Sequence, residues 1–242
     1  MQGLEEIKET GILKVGIAVQ EGIKGAPWAW KDDQTKLVLG FESDIARAIA
    51  KELNVEAEFI PLNAYRLIIG LINDSCHISI GALKDRNEMS GIIFSAPYYN
   101  LTQKIVSQED STIYDLVDLK GYEVGVLKKS LGEFIIQQEN NNLTTPIKIV
   151  AFEDVLDLFS ALQFKDIVSV FIDSPVALWY AKTYIDKKLK VSEVAYRSGS
   201  YSIALKDSNT TLKDRINMAL KNISLRDILD KYGLWDEAQD NN

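Results

Sequence analysis

Val168-Ser-Val-Phe-Ile-Asp-Ser-Pro-Val-Ala-Leu-Trp-Tyr-Ala181 is the stretch that decides the fold. Val168 to Ile172 are β-formers with almost no polarity, so they read as a buried strand. Asp173-Ser174-Pro175 then stops the strand and opens a helix. Ser174 suits the N-cap and Pro175 the first helical position, where its missing N–H would have no partner anyway. A carboxylate at the C-terminal tip of a buried strand, beside a fresh helix start, lies where open α/β sheets bind ligands. With Ser174 expected to cap the helix, Asp173 is expected to face a ligand. What it would hold is a cation, most simply an ammonium group.

Outward from this unit, the chain repeats the same grammar. Before it come a short amphipathic helix (4–10) closed by Gly11, a strand (13–19), and a Gly-rich loop carrying Pro27-Trp28-Ala29-Trp30. A helix follows with Phe41, Ile45, Ile49 and Leu53 on one face and charges on the other. The pattern continues with a strand over 55–60 closed by Pro61, a helix over 64–72, and strands over 78–82 and 92–94. Further on are strand 123–126, a helix from Ser130, strand 147–150 and helix 152–162; strand 203–205 and helices 212–223 and 225–232 finish the chain. Strands alternating with helices predict an α/β protein built on mostly parallel, helix-flanked sheets. Two extended crossings, near 100–106 and 194–202, are expected to join two lobes across a cleft with a hinge. Lobe I is predicted as 1–100 plus 203–242 and lobe II as 101–202.

Composition narrows the partners. A chain of 242 residues suits one large domain or two lobes, and 46% hydrophobic with 26% charged residues is ordinary for a soluble globular protein. A net charge of −8 argues against a nucleic-acid or anionic-membrane partner. No run approaches the roughly 18 apolar residues of a membrane helix. Met1-Gln-Gly-Leu-Glu-Glu lacks the basic start and apolar core of a signal peptide. The chain is therefore expected to be cytoplasmic, or an exported protein whose signal is absent from this sequence. Cys76 and His77 each occur once, which leaves no intramolecular disulfide and no multi-cysteine metal site. They are expected to fill core. No phosphate-cradling Gly loop or nucleophile–base pair is visible, so no cofactor and no metal are predicted.

Several stretches together resemble the extracytoplasmic solute-binding proteins of amino-acid ABC transporters (family 3, type II periplasmic binding proteins). Leu13-Lys-Val-Gly-Ile-Ala is similar to the first strand, Gly40-Phe-Glu-Ser-Asp-Ile-Ala to the "GF-x-x-D-hydrophobic-A" helix, and Phe94-Ser-Ala-Pro-Tyr-Tyr99 to the "FS-x-PY" entry to the hinge. Tyr65-Arg-Leu-Ile resembles the next helix, and Asp118-Leu-Lys-Gly-Tyr-Glu-Val-Gly-Val126 the opening of the second lobe. Ile172-Asp-Ser-Pro resembles the second-lobe ligand strand, and Lys231-Tyr-Gly-Leu-Trp the C-terminal "K-Y/W-G" end. The resemblance implies a two-lobed flytrap that closes on a small molecule and hands it to a membrane permease, working as a monomer in the periplasm or otherwise outside the cytoplasm. It also implies that Asp173 meets the ligand ammonium, and that Ser130, after Lys128-Lys129, meets its carboxylate. A helix N-terminus with a capping Ser suits that anion.

The first-lobe clamp departs from the family. Its pattern is a Gly, a Thr-rich segment, and an Arg seven residues past the Gly that grips the ligand carboxylate in bidentate fashion. Here Gly81-Ala-Leu-Lys-Asp-Arg-Asn-Glu88 puts Glu88 where the arginine belongs and Leu83 and Asp85 where hydroxyls belong. Arg86 can supply the guanidinium only if the helix start shifts by two residues. The aromatic stackers read as Gly25 and Ala64, which leaves Trp28 and Trp30 as candidate pocket walls, at least one of them expected in the core. The candidate ligand contacts are thus Asp173, Ser130, Arg86, Gly81, Leu83 and Trp28. A Glu88 beside a ligand carboxylate would repel it, so the register points either to a Glu88 turned away or to a cationic or larger amine.

Three function classes remain in view. The first is non-catalytic capture of a small amine or amino acid for a transporter. The second is an enzyme of the cyclohexadienyl or arogenate dehydratase kind, known on the same fold, which needs a cleft general acid that Glu88 or Asp173 would have to supply. The third is the ligand-sensing domain of a larger receptor.

Overall fold

The computed structural model describes residues 3–84, 89–184 and 188–240. The chain separates into two compact units, the first made of residues 1–100 and 199–242 and the second of residues 101–198. In the first unit, α1 (Gly3–Thr10) leads into β1 (Ile12–Ala18), and Gly11 between them takes the left-handed conformation that ends the helix. A small sheet of β2 (Gln20–Glu21), β3 (Trp30–Lys31) and β4 (Val38–Leu39) precedes α2 (Phe41–Glu52). Then come β5 (Glu56–Leu62), a 3₁₀ turn Ala64–Arg66, α3 (Leu67–Ile72) and β6 (Ile78–Ile80).

β7 (Ile92–Gln108) is one unbroken strand of 17 residues that begins in the first unit and ends in the second. The second unit continues with β8 (Glu123–Leu127), α4 (Leu131–Asn140), β9 (Lys148–Phe152), α5 (Val155–Gln163), β10 (Ser169–Asp173), α6 (Ser174–Trp179) and β11 (Leu189–Val191). β12 (Tyr196–Lys206) returns to the first unit, where α7 (Thr210–Asn222) and α8 (Leu225–Lys231) follow.

Each unit has the α/β architecture. In the first, β1 lies between parallel β5 and β6, and β12 runs antiparallel on β6. In the second, β8 lies between parallel β9 and β10, while β7 runs antiparallel to both β10 and β11. The parallel pairs are those joined through helices, as crossover geometry requires.

The second unit closes on a cluster in which Ile105, Val124, Val126, Ile136 and Phe171 are each 1% exposed or less. Phe171 anchors it and meets Tyr196 edge-on at 5.5 Å. Phe171→Ala should lower the stability of this unit by about 3–5 kcal/mol, read as a shift in denaturant midpoint at unchanged slope.

Several boundaries differ from expectation for identifiable reasons. Pro61 does not close its strand but sits inside β5, paired with Ile17. β5 is the edge of its sheet, where a missing N–H costs no ladder bond. Phe152 ends β9 rather than opening α5, because Asp154 caps that helix through the Leu156 N–H. The predicted strand 92–94 is the start of β7. Its residues 98–107 are buried continuously, so no period-2 alternation marks the strand.

Candidate ligand-binding site

Asp173 is the last residue of β10 and the N-cap residue of α6, so Ser174 is the first helical residue and Pro175 the second. This corrects the expected placement of Ser174 at the cap. Its hydroxyl is committed elsewhere: the buried Ser174 Oγ accepts from the Thr102 N–H at 3.3 Å. The Asp173 carboxylate makes no capping bond to α6. It accepts instead from Gln103 Nε2. Antiparallel register dictates this partnership, since Asp173 and Gln103 face each other across β10 and β7.

Ser130 occupies the N-cap of α4 as expected, in extended conformation, with its Oγ accepting from the Glu133 N–H at 3.1 Å. Glu133 reaches back to accept from the N–H of Lys129, the residue before the cap, while the Ser130 N–H donates to the Leu127 carbonyl. The first turn of α4 presses directly on the Asp173 strand. A side chain added at Gly132 would stand 2.9 Å from the Phe171 carbonyl oxygen and 3.0 Å from Gln103 Oε1. Gly132 is therefore glycine because two backbones approach too closely for a Cβ. Ser130, Gly132, Gln103 and Asp173 form one neighbourhood, with the partial positive charge of a ten-residue helix at one side and a carboxylate at the other.

In the first unit, Trp28, Tyr98 and Ala82, the last lying between Gly81 and Leu83, bond to a residue that sequence reasoning passed over. Glu42, in the first turn of α2, is fully buried. Its Oε1 accepts from the Ala82 N–H at 2.7 Å and from the Tyr98 hydroxyl at 2.5 Å, and its own N–H donates to the Trp28 carbonyl. Glu42 Oε2 is buried with no hydrogen-bond partner among the described residues. Burial pushes its carboxyl up to about 7, against the smaller opposing effects of the Tyr98 and Ala82 bonds. Gly81 is hemmed in, since a Cβ there would meet Leu67 Cδ1 at 2.7 Å and Ala18 Cβ at 2.8 Å. Leu83 packs on the cluster of Leu71, Cys76, Ile92 and Ala204, and its carbonyl accepts from the Ser202 N–H. Trp28 is half-buried, and its indole N–H has no partner among the described residues. Trp30 packs edge-on against Tyr232 at 6.3 Å, a packing role. Arg86 and Glu88 lie outside the described residues, as does the register question they raised.

Cys76 is buried against Ser79 and burial raises its thiol, as befits core filling. Among the described residues no group of three or more His, Cys, Asp and Glu side chains could hold a metal ion, and no helix is long and apolar enough to cross a membrane. A recess of about 820 Å³ in the second unit, lined by residues including Glu109, Phe164 and Lys188, contains none of the predicted contacts.

Two α/β units joined by extended strands, one of them presenting a strand-tip carboxylate beside a helix start, define the class of solute-binding proteins. The sequence pattern of the bacterial extracellular solute-binding proteins, family 3, matches residues 17–233, and the chain belongs to that family. It is 30% identical over 211 residues to the arginine-binding extracellular protein ArtP of Bacillus subtilis (strain 168), covering 85% of this chain and 79% of that one. It is 28% identical over 221 residues to the L-cystine-binding protein TcyJ of Escherichia coli (strain K12), covering 90% and 79%. Among solved structures, the ancestral cationic amino acid solute-binding protein AncCDT-1 matches with a TM-score of 0.81 at 26% identity, covering 95% of this chain and 99% of that one. The expected family and fold are thereby established, and with them solute binding in amino-acid transport as the function class.

Proposed function

We propose that this protein captures an amino acid with a cationic side chain, outside the cytoplasm and without chemical change, for delivery to an ABC permease. The observation that carries the reading is Asp173, a carboxylate at a strand tip whose side chain makes no capping bond to the helix that follows. In this reading Asp173 takes the α-ammonium group. Ser130 and the start of α4 take the α-carboxylate. The names of ArtP and AncCDT-1 favour a cationic side chain over a neutral one. The net charge of −8 adds a long-range attraction for cations. A dehydratase reading has less support, because of its two candidate general acids Glu88 lies outside the described residues and Asp173 is assigned here to the ligand ammonium.

Thermal unfolding against a panel of L-arginine, L-lysine, L-cystine, L-glutamine and putrescine tests this. Ligand at a hundred times its Kd stabilises by about 2.7 kcal/mol, which for a chain of this size raises Tm by about 5–10 °C. The rise is expected with L-arginine or L-lysine. A panel without any shift, or one in which putrescine alone acts, defeats the proposal.

A further inference from the structure

We propose that Gln103 is the residue that positions Asp173 for a ligand ammonium group, and that it does so from the strand that crosses between the units. This rests on the reading of Asp173 given above and adds a residue that reading does not need. Gln103 is fully buried on β7, five residues after Tyr98. Its two amide ends are chemically distinct, and their surroundings fix which is which. A carboxylate can only accept, so the Nε2 end faces Asp173 Oδ1. The Oε1 end then faces the first turn of α4, 3.0 Å from where a Gly132 Cβ would be, and has no donor among the described residues.

One planar amide thus touches both elements assigned to the ligand: the carboxylate for its ammonium and the helix start for its carboxylate. A buried amide donor aimed at Asp173 would be redundant if that residue served only packing. Here it restricts the carboxylate to one rotamer and supports its charge at the sheet tip. Gln103 is a positioning residue, since its own oxygen and nitrogen atoms are sealed.

The test uses the full chain and isothermal titration with L-arginine, L-lysine and L-cystine in turn. Gln103→Leu keeps the volume and removes the donor, and should weaken binding about tenfold to a hundredfold. Gln103→Glu places a second carboxyl against Asp173. The donor is restored only when one of the pair holds a proton, a state favoured as pH falls. Affinity of this variant, read with L-arginine or L-lysine, should therefore be poor at pH 7.5 and recover at least tenfold by pH 5.5, a range in which the ammonium groups of both ligands stay protonated. Wild type should stay flat there relative to the variant, a difference that lost packing cannot produce. As a ligand-free arm, hydrogen exchange of the Gln103 side-chain amide should be slow in wild type and fast in Asp173→Ala. Binding abolished by Asp173→Asn but unchanged in both Gln103 variants overturns this proposal alone. No binding of any of the three amino acids to wild type, or full binding by Asp173→Asn, overturns the reading of Asp173 and this proposal with it.

Discussion

Asp173→Asn is expected to weaken amino-acid binding by about thirtyfold or more while the ligand-free protein keeps its fold. The substitution retains shape and an oxygen for Gln103 Nε2, so the cross-strand contact can survive. What disappears is the negative charge. An ammonium group withdrawn from water into a partly desolvated site needs a counter-charge, and removing one member of such a pair costs about 2–5 kcal/mol. That is roughly thirtyfold to several thousandfold in Kd. The loss should fall in the dissociation rate more than in the association rate, since a contact formed after docking governs residence. Titration calorimetry with the amino acid that shifts Tm most in wild type reads the affinity, and the ligand-free melting curve controls for folding. An unchanged Kd would remove Asp173 from the site.

The second large effect is a pH dependence of stability centred on Glu42. Its folded-state carboxyl lies at about 7, above the ordinary value of 4.5. A carboxyl raised on folding favours the folded state while protonated. Its contribution is fully present below pH 4.5 and is lost as pH rises from there through 7. Each pH unit between those two values is worth about 1.4 kcal/mol, so the loss approaches roughly 3 kcal/mol. Glu42→Gln keeps an oxygen that can accept from both Ala82 N–H and Tyr98 hydroxyl and replaces the unpartnered Oε2 with an amide NH₂. The variant should match wild type near pH 4.5 and exceed it increasingly up to pH 8, by several degrees in Tm. Parallel wild-type and variant curves over that range would show that the carboxyl is ionised throughout.

These two carboxylates also mark how far the sequence can be read. Asp173 stands out as a candidate because strand, breaker and helix start are written consecutively, and a polar residue at that junction has few structural duties. The cap itself is not legible there. Ser174 does not cap α6, because its hydroxyl is drawn to the Thr102 N–H, a partner 72 residues away that no local pattern reveals. Glu42 is hidden for the complementary reason. Periodicity assigns the charges of α2 to the outer face, and Glu42 sits one residue after Phe41, in a first turn roofed by Ala82 and Tyr98. Gln103 emerges only with the register of β10 on β7 in hand, and register across antiparallel strands far apart in sequence is not written locally. The alternation of strands and helices is readable because hydrophobic period follows backbone geometry. The length of β7 is not, because burial on both faces erases that period.

The unbroken run of β7 makes one short span unusually intolerant of length change. Tyr98 and Gln103, each the hydrogen-bond partner of a buried or half-buried carboxylate, stand on opposite faces of a single strand. Adding or deleting one residue between them would rotate one of the two amid its neighbours by half a turn and leave the other in place. A mutational scan of indels should show a sharp trough at 99–102. It would lie within a chain whose surface loops accept the same lesions.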